Sequence, residues 1–245
     1  MGHALRSYGL LLRWNLLRLR AALPLLIVLQ TLLGVGIVIG FSFLVPEAGA
    51  DTALYLTTGA LTLGLITVGM VAAPQIVAQA KVSGIFDYQR AMPVPRLAML
   101  AADASVWVAL AVPGLIAAMV VASLRFNLTF AVSPLVVPAV LLVAICSVGV
   151  GYGIAYAAKP EIAGAMTQLV FFIALMFAPI NYPADRLPDW LAEVHRWLPF
   201  TYMAQAIRET VNVPPTGVSA TPFLVLTAWS VAGLATTYWI MTRRT

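Results

Sequence analysis

Residues 23–45, LPLLIVLQTLLGVGIVIGFSFLV, run from end to end without one charged side chain. A helix of this length, at about 1.5 Å per residue, crosses a hydrocarbon core of about 30 Å. The run is too long, and too far from any small-residue cleavage site, for a removable signal peptide, so it is expected to stay as a span. The rest of the chain points the same way. Of 245 residues, 62% are hydrophobic and 9% are charged, and the mean hydropathy is +0.95. In soluble domains about a quarter of residues are charged. A soluble globule with one large core is excluded, because the polar side chains could not cover it; the solvent for most of this chain is lipid.

Working outward, residues 52–73, 97–124, 134–158, 162–180 and 222–241 reach spanning length as well. Backbone in lipid must satisfy its own hydrogen bonds, and the strict alternation of a barrel is absent, so all six spans are expected to be helices. Pro113 and Pro138 lie within these runs, where a proline kinks a helix. No period of 20 to 50 residues recurs, and residues 1–245 form a single membrane domain.

Lysines and arginines in the connections set the orientation. Ten fall on one side, among them Arg6, Arg13, Arg18, Arg20, Lys81, Arg90 and Arg96, and four on the other, Arg125, Arg186, Arg196 and Arg208. The asymmetry predicts cytoplasmic termini. It also accounts for the net charge of +5 without nucleic acid as a partner. Residues 5–20, LRSYGLLLRWNLLRLR, place Leu5, Tyr8, Leu12, Leu16 and Leu19 on one helical face, with Arg6, Arg13 and Arg20 in an adjacent stripe. Two placements fit: an amphipathic helix lying in the cytoplasmic interface, or an extension of the first span.

The long connection on the other side is not a plain loop. Within PDWLAEVHRWL, Trp190, Leu191, Val194, Trp197 and Leu198 recur at helical spacing, and Asp189 and His195–Arg196 suit the two ends of a helix dipole. Pro199 breaks the chain and TYMAQAIRETV restarts it. Neither piece is long enough to span, which predicts a re-entrant helical hairpin over 183–211, dipping into the outer leaflet with its Trp and Tyr at the interface.

Chemistry-bearing motifs are few. The lone Cys146 excludes a disulfide framework and a cysteine-based zinc site. His195 has carboxylates nearby, but no nucleophile elbow or His-Glu-x-x-His pair accompanies it, and it is expected on the surface at a helix end. Val150-Gly151-Tyr152-Gly153 resembles a potassium filter, yet it lies inside one apolar run. Gly149 and Gly153, like Gly36 and Gly40, are better explained as small-residue contacts between helices. Asp103, the one carboxylate within a span, shares a face with Arg96, so an ion pair near the cytoplasmic boundary is expected. No phosphate-binding loop exists, so ATP-driven work would need another chain.

Two segments resemble the ABC-2 type permeases, the membrane subunits of bacterial ABC exporters, and the likeness extends over essentially the whole chain. In the loop 81–96, KVSGIFDYQRAMPVPR, the residues Gly84, Phe86, Asp87, Pro93, Val94 and Arg96 follow the family's first cytoplasmic loop; Lys81-Val82-Ser83 replace its acidic start. In the hairpin, Pro183, Leu187, Pro188, Trp190, Leu191, Pro199, Phe200, Thr201, Tyr202 and Arg208 follow the family pattern, with Leu198 in place of asparagine.

That resemblance implies an all-α membrane protein that is not an enzyme and holds no cofactor. It would be one half of an exporter, paired with a second permease, identical or homologous, and with two nucleotide-binding subunits that carry ATP and Mg. Lys81, Gly84, Phe86, Asp87, Tyr88 and Arg90 would form the coupling loop on the ATPase, with Phe86 and Tyr88 as apolar anchors. Trp190, Pro199, Tyr202 and Arg208 would mark the outer hairpin. The second and fifth spans would line the path, with Thr57, Thr58, Thr62, Phe172 and Met176 as lining residues, unless the threonines bond their own backbone. A bacterial inner membrane and a drug, antibiotic, lipid or other amphipathic cargo are expected. The competing class is a secondary carrier or channel that works without ATP.

Overall fold

Lipid-length apolar runs fix the architecture. In the computed structural model, which describes residues 2–45, 49–85 and 94–242, every regular element among the described residues is helical. The elements are α1 (Gly2–Leu19), α2 (Leu23–Leu44), α3 (Ala50–Thr67), α4 (Ala73–Val82), α5 (Arg96–Phe126), α6 (Val136–Ala157), α7 (Pro160–Phe177), α8 (Asp189–Trp197), α9 (Pro199–Val211) and α10 (Thr221–Thr242). Six candidate spans are long and apolar enough to cross a membrane, with α3 and α4 forming one of them, Ala50–Val82.

The second span is longer than its apolar run. Between α3 and α4 the chain makes a π-helical turn, Val68–Ala72, rather than stopping. Pro74 has no N–H to return to the carbonyl four residues back, and the wider turn absorbs that missing bond. The turn also lets two backbones meet. A Cβ added to Gly151 would lie 2.5 Å from the Gly69 carbonyl oxygen and 2.6 Å from Pro74. The filter-like Val150–Gly153 string is therefore continuous α-helix packed against the π turn.

The α3–α4 span sits at the centre: 72% of its apolar window is buried, against 17% for α2, α7 and α10. Around it, α2 packs on α5 and α3, α10 on α6 and α9, and α7 on α4 and α6. Without a hydrophobic drive between helices in lipid, close small-residue contacts and polar ties select the packing. Gly34 and Gly114 bring α2 and α5 together, a Cβ on Gly34 falling 2.9 Å from the Gly114 carbonyl, and buried Gln30 donates to the Gly64 carbonyl at 2.8 Å. Gly149 meets Gly233 of α10 in the same way, whereas Gly36, Gly40 and Gly153 have open space within 4 Å. Of the two expected contact pairs, Gly36–Gly40 is thus unused and Gly149–Gly153 half-used inside the chain.

Proline positions explain the remaining differences. Pro113 lies inside α5, which continues as one helix through it. Pro138 falls in the first turn of α6, where it breaks no internal bond. The fifth span stops at Phe177, before Pro179, and not at Ile180. At the far end of α5, Asn127 takes φ 51°, the left-handed turn that ends many helices.

Candidate functional site: polar ties at the two ends of the bundle

At one end, α1 packs against the first half of α5. It is separated from α2 by a turn, with Ala22 N–H bonded to the Leu19 carbonyl at 2.8 Å, so it does not extend the first span. Its buried face carries Ser7, Leu11, Asn15 and Leu19, with Tyr8 and Leu12 half-buried. Leu5 and Leu16, expected on that face, are 70% and 42% exposed. The face turns because α1 follows its polar partners. Asn15 donates to the Asp103 carboxylate, and the Tyr8 and Ser105 hydroxyls lie 2.9 Å apart. Ser105 gives its own proton to the Ala101 carbonyl at 2.8 Å, so Tyr8 is the donor in that pair. Arg6, Arg13 and Arg20 all remain exposed.

The expected Arg96–Asp103 ion pair is not made. Arg96 leaves its Nη1 buried without a partner, and Asp103 bonds Asn15 instead. A cavity of about 20 Å³ is lined by Asp103, Asn15, Arg18, Trp107, Tyr152 and Tyr156, room for one water. Trp107 Nε1 donates to the Tyr152 hydroxyl at 3.1 Å, which closes the polar seam between α5 and α6.

Lys81 turns inward. Its Nζ donates to three carbonyls at the C-terminal end of α6, those of Ala155 at 2.7 Å, Tyr156 at 3.1 Å and Ala158 at 3.3 Å, and stands 5.6 Å from the Tyr156 ring centroid. The last carbonyls of a helix have no partner of their own and carry its negative pole, which is why an ammonium settles there. Gly84, with φ +73°, ends α4. Phe86, Asp87, Tyr88 and Arg90 lie outside the described residues, as does the Pro93 of the loop pattern.

At the other end, Arg208 of α9 joins three pieces of chain. Its Nη2 donates to the Ile180 carbonyl at 2.9 Å, its Nε to the Thr58 hydroxyl at 3.2 Å, and its guanidinium covers the Tyr55 ring at 3.4 Å. Tyr55 in turn donates to the Tyr182 carbonyl at 3.2 Å. Burial draws Arg208 below the usual arginine range, while the Tyr55 and Glu209 oxygens oppose that shift. Glu209 accepts from Gln205 and from the Ser219 N–H, each at 2.7 Å, and so holds the connection into α10. Pro199 is buried at the start of α9, and Tyr202 donates to the Arg196 carbonyl at 2.9 Å.

The expected lining residues do not share one surface. Thr57, Thr58 and Thr62 are 1%, 0% and 0% exposed and bond the carbonyls of Ala53, of Leu54 and Tyr55, and of Thr58. Phe172 and Met176 stand outside on α7, 51% and 59% exposed. His195 is a correction: it is 3% exposed and not a surface residue, while Trp190 and Trp197 on the same helix are 68% and 76% exposed. Trp190, Val194 and Trp197 face away from the bundle, Leu191 and Leu198 are half-buried, and the imidazole faces in. Its Nδ1 has no hydrogen-bond partner, and burial lowers its pKa below the ordinary histidine value. Asn15 and Tyr55 escaped the sequence reading; a lone asparagine among leucines was the available signal for the first.

Six lipid-length helices, one of them carrying a π turn and several joined by polar contacts at the bundle ends, define a multi-pass helical membrane protein. The pattern of the ABC-2 type transporter family matches residues 8–212, and the chain belongs to that family. A search of curated proteins finds no match. Membership makes this chain the membrane component of an ABC transporter, a class that works with an ATPase subunit.

Proposed function

We propose that this chain is the permease half of an ATP-driven exporter, joined by a second permease, identical or homologous, and coupled to two copies of a separate nucleotide-binding subunit that carries ATP and Mg. Lysine and arginine asymmetry supports an arrangement with α1, the 81–96 loop and both termini in the cytoplasm of a bacterial inner membrane. The observation that carries the reading is the polar bracing at the α1 end. Asn15–Asp103 and Tyr8–Ser105 fasten α1 to α5, and Lys81 fastens the root of the 81–96 loop to α6. A segment pushed by an ATPase moves the spans only if it is fixed to them, and these contacts supply that fixing. The outer hairpin, with exposed Trp190 and Trp197, suits an outer-leaflet position. Exposed Phe172 and Met176 support α7 as a face of the path, and the cargo is a drug, antibiotic, lipid or other amphipathic compound.

The test is co-expression with a candidate ABC-type ATPase subunit, followed by Phe86→Asp and Tyr88→Asp. The native permease should co-purify with the ATPase and stimulate it, and each variant should lose either binding or stimulation. Variants that retain a fully stimulated ATPase would reduce the loop to a linker. A chain that transports with no ATPase at all would be a secondary carrier.

A further inference from the structure

Four polar side chains from three helices border the cavity of about 20 Å³ at the α1 end: Asn15 and Arg18 of α1, Asp103 of α5 and Tyr152 of α6. Ile76 and Val77 of α4 close it on the apolar side. Protein groups alone do not satisfy these side chains. Asn15 spends its NH₂ on one Asp103 oxygen, and the Tyr152 oxygen accepts from Trp107. Left over are the second Asp103 oxygen and the Asn15 amide oxygen as acceptors, and the Tyr152 O–H as a donor. None of the three has a further partner among the described residues. Arg18 makes no direct ion pair either, the one such pair among the described residues being Arg196–Glu193.

The leftover oxygens open onto the cavity and not into packed protein. Among the described residues, the unpaired side-chain atoms sealed from any water-sized contact belong to Arg96, Asn181, His195 and Ser230. Asp103 and Asn15 are not among them, so their free oxygens touch accessible space, and the space their side chains line is this one. Charge then selects the occupant. A lone cation would meet Arg18 and a lone anion would meet Asp103, so a neutral group is favoured over either. The volume holds one water, and a buried water ordinarily has two to four polar partners. Bonding capacity matches as well. A water accepts two hydrogen bonds and donates two; Arg18 and Tyr152 have two to give, and Asp103 and Asn15 have two to take.

We infer that this cavity is a binding site for one ordered water, which accepts from Arg18 and Tyr152 and donates to Asp103 and Asn15. The water turns Arg18 and Asp103 into a bridged ion pair and extends the docking of α1 from α5 onto α6. A bond through water is nearly as good in enthalpy as a direct one. Tyr152 is thereby a positioning residue for α1, although its one hydrogen bond among the described residues goes to Trp107 of α5. The site belongs to this chain alone and does not depend on an ATPase meeting the 81–96 loop.

A crystal structure of the full chain grown from a lipid phase should show one solvent peak within about 3.2 Å of polar atoms of Arg18, Asp103, Asn15 and Tyr152. No peak there, or a direct Arg18–Asp103 contact, overturns the proposal. Hydrogen exchange of the full chain in lipid nanodiscs tests the positioning role. Arg18→Met leaves the Trp107–Tyr152 bond in place, and Tyr152→Phe keeps the ring. Each should raise exchange in α1 by about threefold to tenfold, the scale of one lost hydrogen bond. The double variant should raise it by clearly less than the product of the two, because both act through the same water. Unchanged α1 exchange in Tyr152→Phe overturns the proposal, and so does a double variant that reaches the full product.

Discussion

The two ends of the bundle use the same device, a polar side chain of one helix bonded to another segment, with different results. At the α1 end, Asn15, Tyr8 and Lys81 close onto Asp103, Ser105 and the last carbonyls of α6, around a cavity of about 20 Å³. At the hairpin end, Arg208 closes onto Ile180, Thr58 and Tyr55, but a cavity of about 440 Å³ stays open beside it, with His195 unpaired. One end is built to hold pieces in fixed register. The other holds the hairpin through Arg208 and the connection into α10 through Glu209, and leaves His195 Nδ1 without a partner. The difference can be tested residue by residue.

The largest effect is expected at Arg208, where one side chain carries the anchoring. Arg208→Met should lower apparent stability in detergent by about 2 kcal/mol, the scale of a charge-assisted hydrogen-bond cluster in a membrane protein. Arg208→Lys should recover less than half, because an ammonium cannot both fork between Ile180 and Thr58 and lie flat on Tyr55. Full rescue by lysine would mean that charge alone anchors the hairpin. At the α1 end the ties are shared, so single losses should be smaller. Asn15→Leu and Asp103→Leu should each cost about 1 kcal/mol, and the double variant clearly less than their sum, because each single change leaves the other polar group without its partner. Additive costs in that cycle would make the contact incidental and α1 an appendage. Lys81→Met, at a half-buried end cap, should cost still less, about 0.5 kcal/mol, and should raise hydrogen exchange chiefly in the last turn of α6.

The difference between the ends also explains what the sequence disclosed. Span number and span positions were legible, because crossing lipid demands long uncharged runs and little else satisfies backbone there. The π turn was not, since Pro74 falls just past the apolar run at 52–73 and announces neither the continuing helix nor the wider turn that accommodates it. Asp103 stood out as the only carboxylate in a span, yet helical spacing nominated Arg96 on its own helix as partner. The actual partner, Asn15, comes from a helix 88 residues away in the chain. The hairpin's two short helices could be read from their prolines and dipole charges. Which face of α8 turned inward could not: Trp190, Val194 and Trp197 are exposed while His195 is buried, the reverse of what helical spacing of apolar residues leads one to expect.

The smallest predicted effect is on pH, and it separates the hairpin end from the rigid one. Burial holds the His195 pKa below its ordinary value. Below the unfolded histidine pKa of about 6.5 the opened hairpin therefore binds more protons than the closed one. The stabilisation is present above about pH 6.5 and is lost as pH falls through the histidine range towards the lowered value. Asp185, Asp189, Glu193, Arg196 and Tyr202 are the other ionisable side chains around it, and a window from about pH 7.5 to 5.5 brackets the ordinary histidine value of about 6.5. Across it, hydrogen-exchange protection factors should fall in α8 and the first turn of α9 while those of α1 and α5 stay level. His195→Phe, which keeps a flat ring in the same space, should flatten the hairpin's response. A slope unchanged in that variant, or an equal slope in α1, would place the proton elsewhere and remove the contrast between the two ends.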